Sequence, residues 1–357
     1  MTTDSISRPL LTGYLSDNAA GASPEVLAAV AAAGAGLAAP YGHDELSQGV
    51  AAAFSAVFER DVDVFPVGTG SAANGIALAA LTPPWGSILT HPDGHINNDE
   101  AGAPEFFADG AKLVMVDGAD AKIDPKLLQS AVHRKRGDVH SVQPSVLSLT
   151  QATESGSVYT LEELRVLTAI AHDAGLRVHM DGARFANALV ALDVSPAEMT
   201  WKLGVDVLSF GATKNGAMTA DAIISFDPKL RTELAYRHKR GGQLTSKMRF
   251  QTAQLAAYLA DDLWIHNSRQ ANAMADRLRT GLMTLPGVRV LGSTGASILF
   301  CTFPRQLSLA LKAEGFSFYD DRWEPGIVRM VTSFAHQEAD IDAFLYAAAA
   351  LAPQFAS

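Results

Sequence analysis

The chain predicts an α/β fold, with a mainly parallel sheet flanked by helices and a smaller α+β region at its C-terminal end. Three observations lead there. Short apolar runs alternate with helical patterns through most of the chain, as expected of parallel strands joined by crossover helices. Several of those runs give way at their ends to glycines and small polar residues, as at Gly68–Gly75 and Gly211–Gly216. After Leu230 the character changes to a basic segment containing Gly241-Gly242, then long helices, then three more short strands.

The 357 residues suit about two domains, and a hydrophobic fraction of 48% supplies a sizeable core. We expect residues 1–30 to pack on the small domain, 31–262 to form the large domain and 263–357 the small one, with the break near Asp262. In order, Ser23 is placed to cap a helix whose first residue is Pro24, and Gly34, Gly36 and Pro40 stop it. A turn at Tyr41–Asp44 leads to a helix ending near Phe58. Val62–Val67 reads as a strand, followed by GTGSAANG and a helix to Leu81. Strands follow at Ser87–Thr90, Ala111–Val116 and Ser145–Leu149, with helices at Pro125–Val132 and Leu161–Ala174. The stretch from Leu176 to Gly216 reads as strand, crossover helix and strand. Ala222–Phe226 is a further strand. Helices are expected at Phe250–Trp264 and Arg269–Thr280, then near Gln306–Glu314 and Gln337–Ala350. The last strands are Val288–Val290, Ser297–Thr302 and Ile327–Val331.

Charge and composition narrow the function. A formal net charge of −10 argues against nucleic acid as a partner, because phosphate backbones need clustered Lys and Arg, and Arg237–Arg240 is too short a cluster to outweigh it. The single cysteine, Cys301, reads as a buried strand residue in a reducing compartment. The N-terminal MTTDSISRP shows no basic-then-apolar leader, and no apolar run approaches bilayer length. A cytoplasmic protein without membrane contact is expected.

The organising stretch carries the chemistry. Asp181 ends one strand and Lys214 follows the next by a few residues, in a segment of small side chains. Pyridoxal 5'-phosphate requires these two groups: an amine to condense with its aldehyde, and a carboxylate to keep its ring nitrogen protonated. His179 and Arg184 flank Asp181. Alone, one Asp and one Lys fit a solvated loop acid and a surface lysine better than a cofactor site, so the neighbouring residues carry the case. Gly68, Thr69, Gly70 and Ser71, between a strand and a helix N-terminus, can cradle a phosphate, although an ordinary tight turn has the same look. His95 and Glu100 follow a strand tip, where ligands of parallel sheets collect. His95 suits either stacking on a planar ring or a plain loop hydrogen bond. No cluster has zinc spacing, so no metal is expected.

With these residues laid out, the chain resembles the low-specificity L-threonine aldolases, which have the aspartate-aminotransferase fold type I. The resemblance rests on HMDGARFANALV and TKNG, and on an N-terminal SDN, YGHDE, GTGSAANG, the His95–Glu100 stretch and VRMVTSF in the same order. It implies Lys214 as the covalent anchor of the cofactor, Asp181 as partner of the ring nitrogen and His95 stacked on the ring. It places Gly68, Thr69 and Gly70 at the phosphate. Arg184 also belongs to the cofactor side, and with Arg329 and Ser16 it grips the substrate carboxylate, a task suited to a planar guanidinium. Tyr41 and Thr153 are expected near the substrate, and Arg240 near a neighbouring subunit's cofactor in a homotetramer built from dimers that share active sites. The implied reaction is cleavage of L-β-hydroxy-α-amino acids to glycine and an aldehyde, with His95 or His43 as candidate bases. A phenylserine preference and β-elimination are the alternatives. Many members carry a strand-tip histidine facing the substrate hydroxyl. Here that stretch is Thr150–Glu154 without a histidine, and Thr153 takes its place.

Overall fold

The protein was analysed as a computed structural model that describes residues 10–293 and 295–355. The first nine residues, read above for a leader, lie outside the described residues. The larger sheet has seven strands: β1 Asp63–Val67, β2 Gly86–Thr90, β3 Lys112–Met115, β4 Gln143–Thr150, β5 Arg177–Gly182, β6 Val207–Phe210 and β7 Asp221–Ser225. Their spatial order is β1-β7-β6-β5-β4-β2-β3. β3, β2, β4, β5 and β6 are joined by parallel pairings. β7 is antiparallel to both β6 and β1, so it alone runs against the rest. The alternation of strands and helices did not foretell that reversal. Only residues 211–220 separate β6 from β7, too few for a crossover helix and ample for a hairpin-like return.

β2 and β6 are buried throughout, β5 in all but its first residue and β4 over Val146–Leu149, as strands covered on both faces should be. The main core fills the space between this sheet and its helices. In it Phe54, Phe58, Phe185, Phe210, Tyr258 and Trp264 pack edge-on or stacked. A second core lies under a three-stranded antiparallel sheet of β8 Arg289–Leu291, β9 Ile298–Thr302 and β10 Ile327–Val331, in the order β10-β9-β8. Cys301 is buried there. Tyr14 is fully buried in this second core against Phe344 and His336. Its N–H donates to Ser317 O, and its carbonyl accepts from Val331 N.

Three local expectations change. The helix expected to run from Phe250 to Trp264 ends at Leu259, and Asp261 and Asp262 adopt left-handed φ values of 50° and 54°. Aspartate tolerates that region better than most residues. A continuous helix, Leu263–Leu282, then begins; Trp264 at its start belongs to the main core, and Met274, Leu278 and Leu282 belong to the second. Arg231–Arg240, read only as a basic segment, is a helix. Ser23 occupies the N-cap position of the helix Pro24–Ala33, yet its side chain makes no capping bond. Its Oγ accepts instead from Asn267 Nδ2 at 3.0 Å. Among the described residues, no helix is long and apolar enough to cross a membrane.

Candidate active site

Because β1, β2, β4, β5 and β6 run the same way, their carboxyl ends deliver their following loops to one edge. Those loops carry Gly68–Ser71, His95, Glu154, Asp181–Arg184 and Lys214, and this edge of a parallel sheet is where ligands bind. Two cavities open there, of about 250 and 780 Å³, and both are lined by Asn18, His95 and Lys214.

The smaller cavity has the helix Gly70–Leu81 at one end. Thr69 caps it, its Oγ1 accepting from Ala72 N at 3.1 Å. Gly68, Gly70 and Ser71 line the same end, where the helix dipole and free N–H groups favour an anion. Gly68 N–H donates to Gln243 Oε1 at 2.9 Å, so a residue from the loop after Arg240 reaches the cradle. Asp181 stands elsewhere on the wall, buried, its Oδ1 accepting from Ala183 N at 3.0 Å. Asn74 Nδ2 donates to both Asp181 Oδ2 (3.0 Å) and Glu100 Oε1 (2.8 Å). The same Glu100 oxygen is 2.7 Å from His95 Nδ1. That hydrogen bond raises the His95 pKa above the ordinary imidazole value, against burial and with help from Asp181, so His95 keeps its proton to higher pH.

The loop bearing Lys214 is held from several sides. Asp221 Oδ1 accepts from Ala212 N (2.7 Å) and Thr213 N (3.0 Å). Asn215 Nδ2 donates to Tyr258 Oη (2.7 Å) and Trp264 O (2.8 Å). Gly216 has φ 122°, and a Cβ there would lie 2.7 Å from Asn267 Nδ2, so only glycine fits. His179 lies beneath, clasped by Ser148 Oγ and Ser209 Oγ at 2.9 Å each, and burial pushes its pKa down to about 4. It is a neutral support and lines neither cavity.

The larger cavity holds Ser16, Arg184, Arg329 and Glu154, with Phe300, Tyr319 and Trp323 on a further wall. Arg184 is buried and forms a bidentate pair with Asp17, Nε–Oδ2 2.7 Å and Nη2–Oδ1 3.1 Å. Burial pushes the Asp17 carboxyl up, but Arg184, Lys214 and Arg329 together hold it below the ordinary range. Arg184 Nη1 has no hydrogen-bond partner. The Arg329 guanidinium is shifted down by burial and by the neighbouring Arg184 charge.

Lys214, Asp181, His95, Gly68, Thr69, Gly70, Ser16, Arg184 and Arg329 thus come together. Four residues do not. Thr153 is fully buried with Oγ1 tied to Ser155 and Ser157, while Glu154 and Ser155, its sequence neighbours, line the cavity. Tyr41, His43 and Arg240 are exposed and line neither cavity. Tyr41 N–H bonds Ser246 O and Lys239 Nζ sits 5.0 Å over its ring, which puts the 41–43 turn beside the basic segment. Sequence reasoning missed Asn74, Asp221, Gln243 and Asp17. Only Asp17 carried a signal, its place beside Ser16 in the SDN stretch.

The residues fit pyridoxal 5'-phosphate: an anion cradle, a buried carboxylate and an amine share one cavity, and Asn74 on its wall has an unpartnered Oδ1. A family model described as beta-eliminating lyase matches residues 14–300. The low specificity L-threonine aldolase of Pseudomonas aeruginosa is 41% identical over 86% of this chain and 88% of its own. The enzyme of the same name from a Pseudomonas sp. is 39% identical over 92% and 94%. The threonine aldolase of Leishmania major superposes with a TM-score of 0.90 at 28% identity, covering 96% of this chain and all of the other.

Proposed function

This chain belongs to the low-specificity L-threonine aldolases of the beta-eliminating lyase family, and from that premise we propose that its paired cavities cleave L-β-hydroxy-α-amino acids to glycine and an aldehyde with pyridoxal 5'-phosphate. The observation that carries the reading is that the Asp181–Lys214 cavity shares Asn18, His95 and Lys214 on its wall with the cavity bearing Arg184 and Arg329. Bound pyridoxal phosphate supplies an electron sink for the pair released when the Cα–Cβ bond breaks.

The chain's own residues do the rest. Lys214 anchors the cofactor through its amine. Asp181, held in place by Asn74 and the Ala183 N–H, would face the ring nitrogen. Gly68, Thr69, Gly70 and Ser71 receive the phosphate at the helix N-terminus. Arg184, through its free Nη1, and Arg329 seat the substrate carboxylate with Ser16 at the edge. Fixing that carboxylate orients the bond to be broken. His95, on the wall common to both cavities, would lie against the ring.

Tyr41, His43 and Arg240, exposed on one side, serve the site of a second copy in a homo-oligomer of dimers. The wall of Phe300, Tyr319 and Trp323 supports a second reading, that an aryl β-substituent as in phenylserine is preferred over a methyl. A cytoplasmic location accords with a buried free thiol and a small amino-acid substrate.

The test is product analysis with L-threonine, L-allo-threonine, both L-phenylserine diastereomers and L-serine. Glycine and aldehyde in equal amounts are expected. Ammonia with a keto acid would sink the aldolase reading, and equal rates for threonine and phenylserine would remove the aryl preference.

A further inference from the structure

We propose that Glu154 is the base that takes the proton from the substrate's β-hydroxyl, a role that rests on the aldolase reading above. Glu154 stands just beyond β4, with Oε1 3.8 Å from Arg184 Nη1 and Oε2 4.0 Å from Arg329 Nη2. Both separations exceed hydrogen-bond distance. The carboxylate is therefore attracted to the seat of the substrate carboxylate without being consumed by it. Its side chain is 20% exposed, sheltered yet open to the cavity.

Geometry puts the hydroxyl within reach. The β-oxygen of a β-hydroxy-α-amino acid lies within about 3 Å of its own carboxylate carbon in folded rotamers, since only two carbons separate them. A group bordering the carboxylate seat therefore borders the hydroxyl. An arriving substrate carboxylate engages both arginines and leaves the Glu154 carboxylate free of them, beside the hydroxyl. Glu154 is thus poised by the same event that orients the substrate.

Rival bases fail on position or state. His95 has its Nδ1 committed to Glu100 at 2.7 Å, and that bond raises its pKa, which disfavours release of the ring for a second proton. His43 is exposed and outside the cavity. Thr153 is locked among Ser155, Ser157 and the Asp120 carbonyl. Asp93 and Asp99 are exposed at the rim.

The step balances. The O–H proton passes to Glu154, and the freed oxygen pair becomes the second bond of the aldehyde carbonyl. The Cα–Cβ bond breaks with its pair left on Cα. A proton then returns to Cα, giving glycine, and Glu154 is again a carboxylate.

The test compares wild-type holoenzyme with Glu154→Gln and Glu154→Ala, reading kcat and KM for L-threonine and, separately, the glycine dissociation constant from the cofactor's absorbance. A base loss lowers kcat by about 10²–10⁴-fold. Glycine carries no hydroxyl, so its affinity should stay within about threefold, or tighten as a like charge leaves. Added formate should restore part of the Glu154→Ala rate. A Glu154→Gln kcat within about fivefold of wild type, or loss of glycine binding in parallel with kcat, overturns the proposal. Wild-type enzyme releasing ammonia in place of glycine would overturn the aldolase reading itself, whereas intact wild-type cleavage with an unimpaired Glu154→Gln variant overturns only the role of Glu154.

Discussion

Replacing Asp17 by alanine leaves the Arg184 guanidinium buried with its Nε and Nη2 unpaired. The side chains of this pair are 4% and 3% exposed, so solvent does little to compensate. Removing one partner of such a pair costs about 3–5 kcal/mol. Glu154, 3.8 Å from Arg184 Nη1, offsets part of the loss and places the expectation at the lower end. At about 2.1 cal/mol/K per residue, a chain of 357 residues unfolds with roughly 0.75 kcal/mol/K. A loss of about 3 kcal/mol then lowers Tm by about 4 °C. The sign of the pH dependence follows from the lowered folded-state pKa of Asp17. Its contribution is complete above its unfolded pKa near 4 and is lost as pH falls through the folded value. Thermal melts of both proteins should therefore differ by a constant amount from about pH 5 to 8, and the gap should close in stronger acid. A gap below about 1 °C at neutral pH, or one unchanged at pH 3, would refute the reasoning.

Three further outcomes are expected. Lys214→Ala holoenzyme should lose turnover, and borohydride should no longer fix a pyridoxyl group to the peptide containing that position; mixing its subunits with Arg240→Ala subunits should restore roughly a quarter of the sites if a two-fold dimer shares them, and no recovery would remove Arg240 from a partner's site. Because burial holds His179 neutral down to about pH 4 while the unfolded chain protonates near 6.5, stability should fall by up to about 3 kcal/mol between those values on acidification. His179→Gln should flatten that slope in denaturant titrations, and identical slopes would contradict the assignment.

How much of this was legible in the sequence depends on the range of the signal. β5 and β6 announce themselves as apolar runs, and Asp181 and Lys214 follow from their tips, because strand periodicity and loop chemistry are local. The GTGS turn worked for the same reason. Asn74 was invisible: it lies inside a helix of small residues, and nothing local says that its amide spans Glu100 and Asp181. Asp221 lay just before the strand expected at Ala222–Phe226, and its bonds to Ala212 and Thr213 depend on the reversal of β7. Thr153 was placed at the hydroxyl by resemblance alone, and a shift of one position along this loop decides whether Thr153 or Glu154 faces the cavity. The helix expected to run on to Trp264 ends at Leu259, a stop hidden from the sequence because apolar periodicity continues through the turn at Asp261–Asp262.

The bonds around Gly216 bear on the order in which the protein can be made. Ser23 N–H donates to Gly216 O, and Asn267 Nδ2 donates to Ser23 Oγ and Asn215 O. Three stretches separated by some 190 and 50 residues must meet before the backbone on the C-terminal side of Lys214 is held, and closing loops of that length is slow. The turn that follows Lys214 is thus fixed by side chains from the first helix and from the long helix after the break, so its order depends on contacts between parts of the chain that are far apart in sequence.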